Sequence, residues 1–420
     1  MTLLVQKYGG TSVADIARIR AVAARVAACR ARGVQVVVVV SAMAGETNRL
    51  LRLCAEIGAE GLREQDSVIA TGEQIVAGLL ALELQRLGVA ARSLTGEQVG
   101  IRTDAAYGKA RIVDIRSEVL RSALNNDEVP VVPGFQGRTA TGDIATLGRG
   151  GTDTTAVALS AALSAKECQI FTDVDGIYTT DPRVCADARR LETVHVEEML
   201  EMASLGAKVL QLRSVEFACK YQVPLRVLSS LTEDHDCTGG TLITYEENEM
   251  EDPVVTGVAF NKEEAKITVA GVPDKPGIAH LLLSAVAKSN INVDMIVQNV
   301  SSAGRTDFSF TVQRDEFARA MVTTKTAAAT IGATEVLGDA DIAKVSVVGI
   351  GMRSHPGVAS LMFKTLSDHQ INIQMISTSE IKTSVVIAEA QMETAVQALH
   401  TAFDLAQAPQ EERITGGAEQ

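Results

Sequence analysis

Residues 34–40 read VQVVVVV. A strand with one face in water alternates apolar and polar residues. Five consecutive valines instead put β-branched side chains on both faces, so both faces must be covered. The run predicts an interior strand of a mostly parallel sheet sandwiched by helices, an α/β architecture. Shorter apolar runs predict its neighbours: Leu3 to Val5, then Val129, Val131 and Val132 before PGFQG, then 168–172 before DVDG, then 223–228, VPLRVL. Between them, 68–87 and 153–164 have helical character. Strands alternating with helices imply right-handed crossovers. Ligands of such sheets bind where loops leave the carboxyl ends of strands.

Near residue 236 the character changes, since DCTGGTLITYEENEMEDPVV is rich in turn formers and acids. Beyond it lies an internal repeat. VPDKPGIAHLLLSAVAKSNINVDMI, 272–296, aligns without gaps on MRSHPGVASLMFKTLSDHQINIQMI, 352–376, with eight of 25 positions identical, and AKITVAGV and AKVSVVGI correspond upstream. Each copy reads as strand, Pro-Gly turn, helix and strand. Ile278, Leu281, Leu282, Ala285 and Val286 form one helical stripe, and Val358, Leu361, Met362 and Leu366 form its counterpart. A period of about 80 residues is too long for a solenoid unit and suits two small duplicated α+β domains. The chain therefore divides into 1–245, a linker 246–264, and repeats 265–340 and 341–420, the last carrying a C-terminal tail. Its 420 residues, at roughly 150 per domain, agree with two or three domains.

The net charge of −13 and the lack of a Lys/Arg-rich block argue against nucleic acid and anionic lipid as partners. No apolar run approaches the roughly 20 residues of a membrane span, and Gln6 and Lys7 come too early for a signal-peptide core. A cytoplasmic protein is expected. Six cysteines without CxxC spacing read as reduced, structural thiols.

The first strand runs into KYGGTS, residues 7–12, followed by a helical pattern that Ser12 would cap and Gly33 would end. The two glycines either make a tight turn or cradle an anion at a helix N-terminus, with Lys7 adding positive charge. Walker, dinucleotide-binding and protein-kinase signatures are absent. Present instead are separate loops: SAMAGETN at 41–48, TGEQ around Glu73, GRGGTDTT at 148–155, TDVDGIYTTDPR at 172–183 and GAKVL at 206–210.

In this order and combination, the loops resemble those of the aspartokinases, a branch of the amino-acid kinase family in which two ferredoxin-like ACT regulatory domains follow the catalytic domain. The resemblance runs from Val5 to about Leu405. It implies transfer of the ATP γ-phosphoryl group to the side-chain carboxylate of L-aspartate, giving 4-phospho-L-aspartate. That is the first step towards lysine (through diaminopimelate), threonine and methionine. A carboxylate acceptor is already ionised near pH 7 and needs no general base, and none of the six histidines lies in these loops. By resemblance, Lys7, Asp153 and Lys208 are the catalytic residues: Lys7 and Lys208 are cations on the phosphoryl and nucleotide side, and Asp153 orders them. Asp153 also reads as a helix N-cap before TTAVALSAAL. Tyr8, Gly9, Gly10, Ser41, Thr172, Asp173, Tyr178 and Arg183 join the two lysines at ATP, and Mg²⁺ is carried by the nucleotide. DVDG alone reads equally as an Asp-Gly turn. For the acceptor, Arg149 clamps the α-carboxylate, Glu73 pairs with the α-ammonium, and Thr47, Gly150, Gly151 and Thr152 complete the pocket.

The repeats correspond to the regulatory half. The resemblance makes Asp274, Lys275, Pro276, Gly277, Ile278 and Ala279, with Asn292, Val293, Asp294 and Gln298 on the returning strand, a site for an amino-acid effector, lysine and/or threonine. D-x-P-G is also a common turn. Val358, Ala359, Asn372, Ile373, Ser379 and Glu380 would complete a site shared between copies, although Ser354, His355 and Gln374 stand where the first copy has Asp274, Lys275 and Asp294. Pairing of repeats between chains implies a homo-oligomer, or a hetero-oligomer with a regulatory subunit started at Met250. Two other readings stay open: an acyl-phosphate-forming kinase of glutamate or an N-acylated amino acid, and an amino-acid sensor with an inactive kinase half.

Overall fold

The computed structural model describes residues 2–58, 61–205, 209–232, 238–246, 254–299, 304–353 and 355–407. These fall into two compact units, one within Met1–Ile177, Arg190–Ser204 and Lys208–Glu247, the other within Tyr178–Arg189, Leu205–Ala207 and Asn248–Gln420.

The first unit is built on the expected sheet. Its eight strands run in the order Thr193–His195, Thr241–Thr244, Leu225–Ser229, Glu167–Thr172, Leu3–Tyr8, Gln35–Val40, Val129–Pro133, Ala91–Ser93. All neighbours are parallel except Leu225–Ser229 with Thr241–Thr244. The five valines of Gln35–Val40 are fully buried. Val36, Val38 and Val40 pack into a cluster with helices Ile16–Ala31 and Thr71–Arg86, and alternation turns Val37 and Val39 to the other face. Helix Gly151–Leu163 also packs on this strand and is buried along most of its length. The stretch 62–86 is long and apolar enough to cross a membrane by composition alone, which the sequence did not suggest. Here it is two helices, Leu62–Ile69 and Thr71–Arg86, and Val76, Leu80 and Leu84 of the second are fully buried in the core. A second, four-stranded sheet of short strands (Ile112–Ile115, Ile101–Thr103, Gln136–Arg138, Ile144–Thr146) had no sequence signal.

The second unit contains two antiparallel sheets of four strands. The first orders Val293–Gln298, Arg305–Gln313, Glu264–Pro273 and Glu335–Asp339, with helices Ile278–Lys288 and Phe317–Ile331. The second orders Gly257–Asn261, Ile342–Val348, Lys382–Ala388 and Met375–Thr378, with helices Val358–Asp368 and Met392–Ala402. Gly257–Asn261 was expected as linker. Instead it pairs antiparallel with Ile342–Val348, from Gly257 opposite Val348 to Asn261 opposite Lys344, and occupies the fourth-strand place that Glu335–Asp339 fills in the first repeat. Residues 178–189 also belong to this unit: Thr179 accepts the Val258 amide, its hydroxyl meets His400 Nε2 at 2.9 Å, and Gln397 donates to the Val184 carbonyl.

Candidate functional site

Strand Leu3–Tyr8 delivers Lys7 to the carboxyl end of the sheet. Gln6 and Tyr8 face away from it, with Gln6 donating to Gln169 at 2.9 Å and the Tyr8 hydroxyl donating to Gln6 at 3.1 Å. Lys7 Nζ lies 2.5 Å from Asp153 Oδ1, and both side chains are about one-tenth exposed. Asp153 stands in the first turn of helix Gly151–Leu163, where the helix dipole favours an anion. The cap itself is Gly150, in the left-handed region, so Asp153 is not the N-cap. Its carboxylate holds the lysine. A Cβ on Gly9 would lie 3.3 Å from Lys7 Nζ and crowd the cation, and one on Gly10 would lie 3.0 Å from the Ala42 carbonyl, against the neighbouring loop. The glycines open a 3-10 turn, Gly10–Val13, and the following helix is capped by Asp15, which accepts the Arg18 amide at 2.8 Å. The cap expected at Ser12 is absent because its hydroxyl is taken by Ser230 at 2.8 Å.

Glu73, in the first turn of Thr71–Arg86, is 3% exposed. Oε1 accepts the Ala42 amide at 3.1 Å, while among the described residues Oε2 has no partner. Burial raises its pKa to about 7, only partly opposed by the amide bonds. Such a carboxyl is poised for a cationic ligand. Ala42 lies in the loop between Ser41, whose amide donates to the Tyr8 carbonyl, and helix Glu46–Ile57, which carries half-buried Thr47 in its first turn. Arg149 is exposed and, among the described residues, makes no hydrogen bond or ion pair. Gly148 and Gly150 beside it have φ of +77° and +74°, and a Cβ on Gly150 would lie 2.4 Å from Gln211 Cγ. Thr152 is buried under Gly134, where a Cβ would come 2.6 Å from its methyl.

The residues that the resemblance assigns to the nucleotide divide. Thr172 and Asp173 follow strand Glu167–Thr172, with the Thr172 hydroxyl donating to Asp173 at 3.1 Å. Tyr8 has its ring in the core, stacked on Phe171 at 4.7 Å, and offers a ligand no side chain. Tyr178 and Arg183 fall in the second unit, where Asp181 takes the Arg183 guanidinium in a two-pronged pair. Lys208 lies outside the described residues, as do Met250 and Ser354.

In the second unit, Asp274 through Gly277 are exposed, and Gly277 (φ +93°) caps helix Ile278–Lys288. Asp294 is already engaged. Lys344, 2% exposed, reaches it and also Glu264, at 2.5 Å. Burial works against the charge of Lys344, but the two acids outweigh it and hold its pKa above the ordinary lysine value. Lys266, its counterpart in the other copy, donates to Gln374, the counterpart of Asp294. Sequence reading passed over both lysines, although the shared AK of AKITVAGV and AKVSVVGI marked them. Ser379 and Glu380 are exposed in the turn before Lys382–Ala388, and Val358 and Ile373 pack into the core of the second repeat.

The model of the amino acid kinase family matches residues 2–229, and an ACT domain model matches 267–327 and 345–403. Aspartate kinase of Pseudomonas putida is 58% identical over 407 residues, 96% of this chain and 98% of that protein. Aspartokinase of Mycobacterium tuberculosis is 47% identical over 411 residues, 96% of this chain and 97% of that one. Among solved structures, E. coli aspartokinase III in complex with aspartate and ADP (R-state) superimposes with a TM-score of 0.75 at 26% identity, covering 95% of this chain and 99% of its own. The same enzyme with lysine and aspartate (T-state) gives 0.74 at 27%, covering 96% and 99%. With the Lys7–Asp153 pair, the glycine loops and two ACT sheets in place, the chain belongs to the aspartokinases of the amino acid kinase family.

Proposed function

We propose that this chain, acting in the cytoplasm, transfers the γ-phosphoryl group of ATP to the β-carboxylate of L-aspartate and is inhibited by lysine and/or threonine through its ACT domains. The observation that carries the acceptor reading is Glu73, a buried carboxyl with one oxygen on the Ala42 amide and the other without a partner among the described residues. An α-ammonium satisfies that oxygen. Arg149, without a partner among the described residues, offers a planar fork for the α-carboxylate. The β-carboxylate oxygen then attacks the γ-phosphorus, the bond to the bridging oxygen breaks and ADP leaves. No proton has to be removed. Lys7, held by Asp153, neutralises charge on the transferred group, which is most of what such a transfer requires. Mg²⁺ takes oxygen donors and comes with the nucleotide, whose phosphate oxygens it would neutralise when bound.

Arg149→Lys tests this reading. A point charge cannot reproduce a two-pronged clamp, so the KM for aspartate should rise about tenfold or more while the KM for ATP stays put. An unchanged aspartate KM would remove Arg149 from the site.

The E. coli relative was solved with lysine in a T-state, which supports an effector role for lysine here. Typical coupling is about 1–3 kcal/mol, so an effector should raise the apparent aspartate requirement roughly 5- to 150-fold. Asp274, exposed beside the Gly277 helix start, takes the effector ammonium. Initial rates across lysine and threonine, singly and together, should show inhibition of the wild type and resistance in Asp274→Ala with basal turnover kept. Equal sensitivity of the two proteins would contradict the assignment.

A further inference from the structure

Asp66 is a buried carboxylate that the transfer itself does not use. It lies on helix Leu62–Ile69 and is 1% exposed. Its Oδ2 accepts the amides of Gly108 at 2.9 Å and Thr146 at 2.7 Å, and its Oδ1 accepts the Thr146 hydroxyl at 2.8 Å. Among the described residues no cation pairs with it. Three donors converge on one carboxylate, and all belong to chain segments far from it in sequence.

Each side of this junction leads directly to an acceptor ligand. Thr146 ends strand Ile144–Thr146, and Arg149 follows three residues later. Between them, the Leu147 amide donates to the Phe135 carbonyl at 2.8 Å, and Arg213 donates to the Leu147 carbonyl at 2.6 Å, so little slack separates Thr146 from the Arg149 loop. On the other side, the Asp66 carbonyl accepts the Ala70 amide at 3.0 Å, and Ala70 leads straight into Thr71–Arg86, with Glu73 in the first turn. Gln136 locks that start by donating to the Ala70 carbonyl at 2.9 Å and accepting from Gln74 at 2.8 Å. Glu73 and Arg149 sit on different elements, and Asp66 is where those elements are fastened together.

We propose that Asp66 is a positioning residue that fixes the span between Glu73 and Arg149, so that one amino acid meets both through its ammonium and carboxylate. This rests on the acceptor reading above. Binding groups on separate elements need a rigid support, because a displacement of about 1 Å can cost on the order of 100-fold.

The test compares Asp66→Ala and Asp66→Asn in steady-state kinetics, with Arg149→Lys alongside. Asp66→Ala should raise the aspartate KM about 10- to 100-fold, leave the ATP KM unchanged and keep most of kcat at saturating aspartate. Asp66→Asn should behave nearly as wild type, because its oxygen can take both amides while its NH₂ donates to the Thr146 hydroxyl. A residue needed only for stability would lower the melting temperature without splitting the two KM values. Should Asp66→Ala fail to fold, Thr146→Val removes only the hydroxyl bond and should raise the aspartate KM alone, to a smaller extent. An unchanged aspartate KM in a folded Asp66→Ala or Thr146→Val protein, an equal rise in both KM values, or no rescue by Asp66→Asn overturns the proposal. If Arg149→Lys raises the aspartate KM and Asp66→Ala does not, positioning alone fails. If Arg149→Lys has no effect, the acceptor reading fails and takes this role with it.

Discussion

Lys7→Ala should lower kcat on the order of 100-fold or more, the scale seen when one preorganised electrostatic donor is removed, with a much smaller change in the aspartate KM. The charge matters most as the phosphoryl group departs, so its loss is felt in the transition state and not in acceptor binding. The structure adds a complication that the kinetics must separate. Lys7 and Asp153 form a buried pair at 2.5 Å, and removing one partner strands the other charge, a loss of about 3–5 kcal/mol in comparable pairs. The double variant Lys7→Ala, Asp153→Asn removes both charges. It should recover much of the thermal stability lost in Lys7→Ala and none of the activity. Recovery of turnover along with stability would mean that Lys7 is structural.

Glu73→Gln should raise the aspartate KM on the order of 100-fold, since a buried charge pair loses one partner. The same substitution should stabilise the ligand-free protein above pH 7. Burial holds the Glu73 pKa at about 7, above its unfolded value of 4.5. The folded state therefore binds more protons than the unfolded state between those two values, and stability falls as pH rises through that window. Above pH 7 the ionised Glu73 costs the folded chain about 3 kcal/mol. Glu73→Gln should melt higher than wild type at pH 8 and alike at pH 5. In the wild type, kcat/KM for aspartate should fall as pH drops below about 7, because protonated Glu73 no longer attracts an ammonium. Equal melting temperatures at pH 8 together with an unchanged aspartate KM would contradict both the strained carboxyl and its role.

The parts of this fold that were legible in the sequence were those fixed by local pattern. Five valines demand cover on both faces wherever they sit, and they form a fully buried interior strand of the sheet. The duplicated Pro-Gly turn and helix became two sheets of matching strand order, one for each copy. What escaped was decided by distant partners. Ser12 has the chemistry of a helix cap, but its hydroxyl goes to Ser230, and Asp15 caps instead. Residues 257–261 carry no strand alternation, and only the open edge of Ile342–Val348 makes them a strand. Within the candidate site, Lys7 and its two glycines stood out in a loop of unusual composition, while Glu73 and Arg149 were marked only by the resemblance that the set of loops carries. Asp66 did not, because REQDSVI looks like any polar helix start until its three donors arrive from residues 108 and 146. Tyr178 and Arg183 were read as one loop with Thr172 and Asp173, yet the chain passes into the second unit at residue 178, drawn there by bonds to Val258 and His400.

The central claim is that the acceptor is the side-chain carboxylate of aspartate and the product an acyl phosphate. Trapping with hydroxylamine addresses both parts at once, since an acyl phosphate converts to a hydroxamate and a free carboxylate does not. Purified protein with ATP, Mg²⁺, L-aspartate and hydroxylamine should form aspartyl hydroxamate in step with ADP, and should form little when ATP is omitted or glutamate replaces aspartate. ADP release without hydroxamate, an equal rate with glutamate, or no reaction from folded protein free of lysine and threonine would contradict the account.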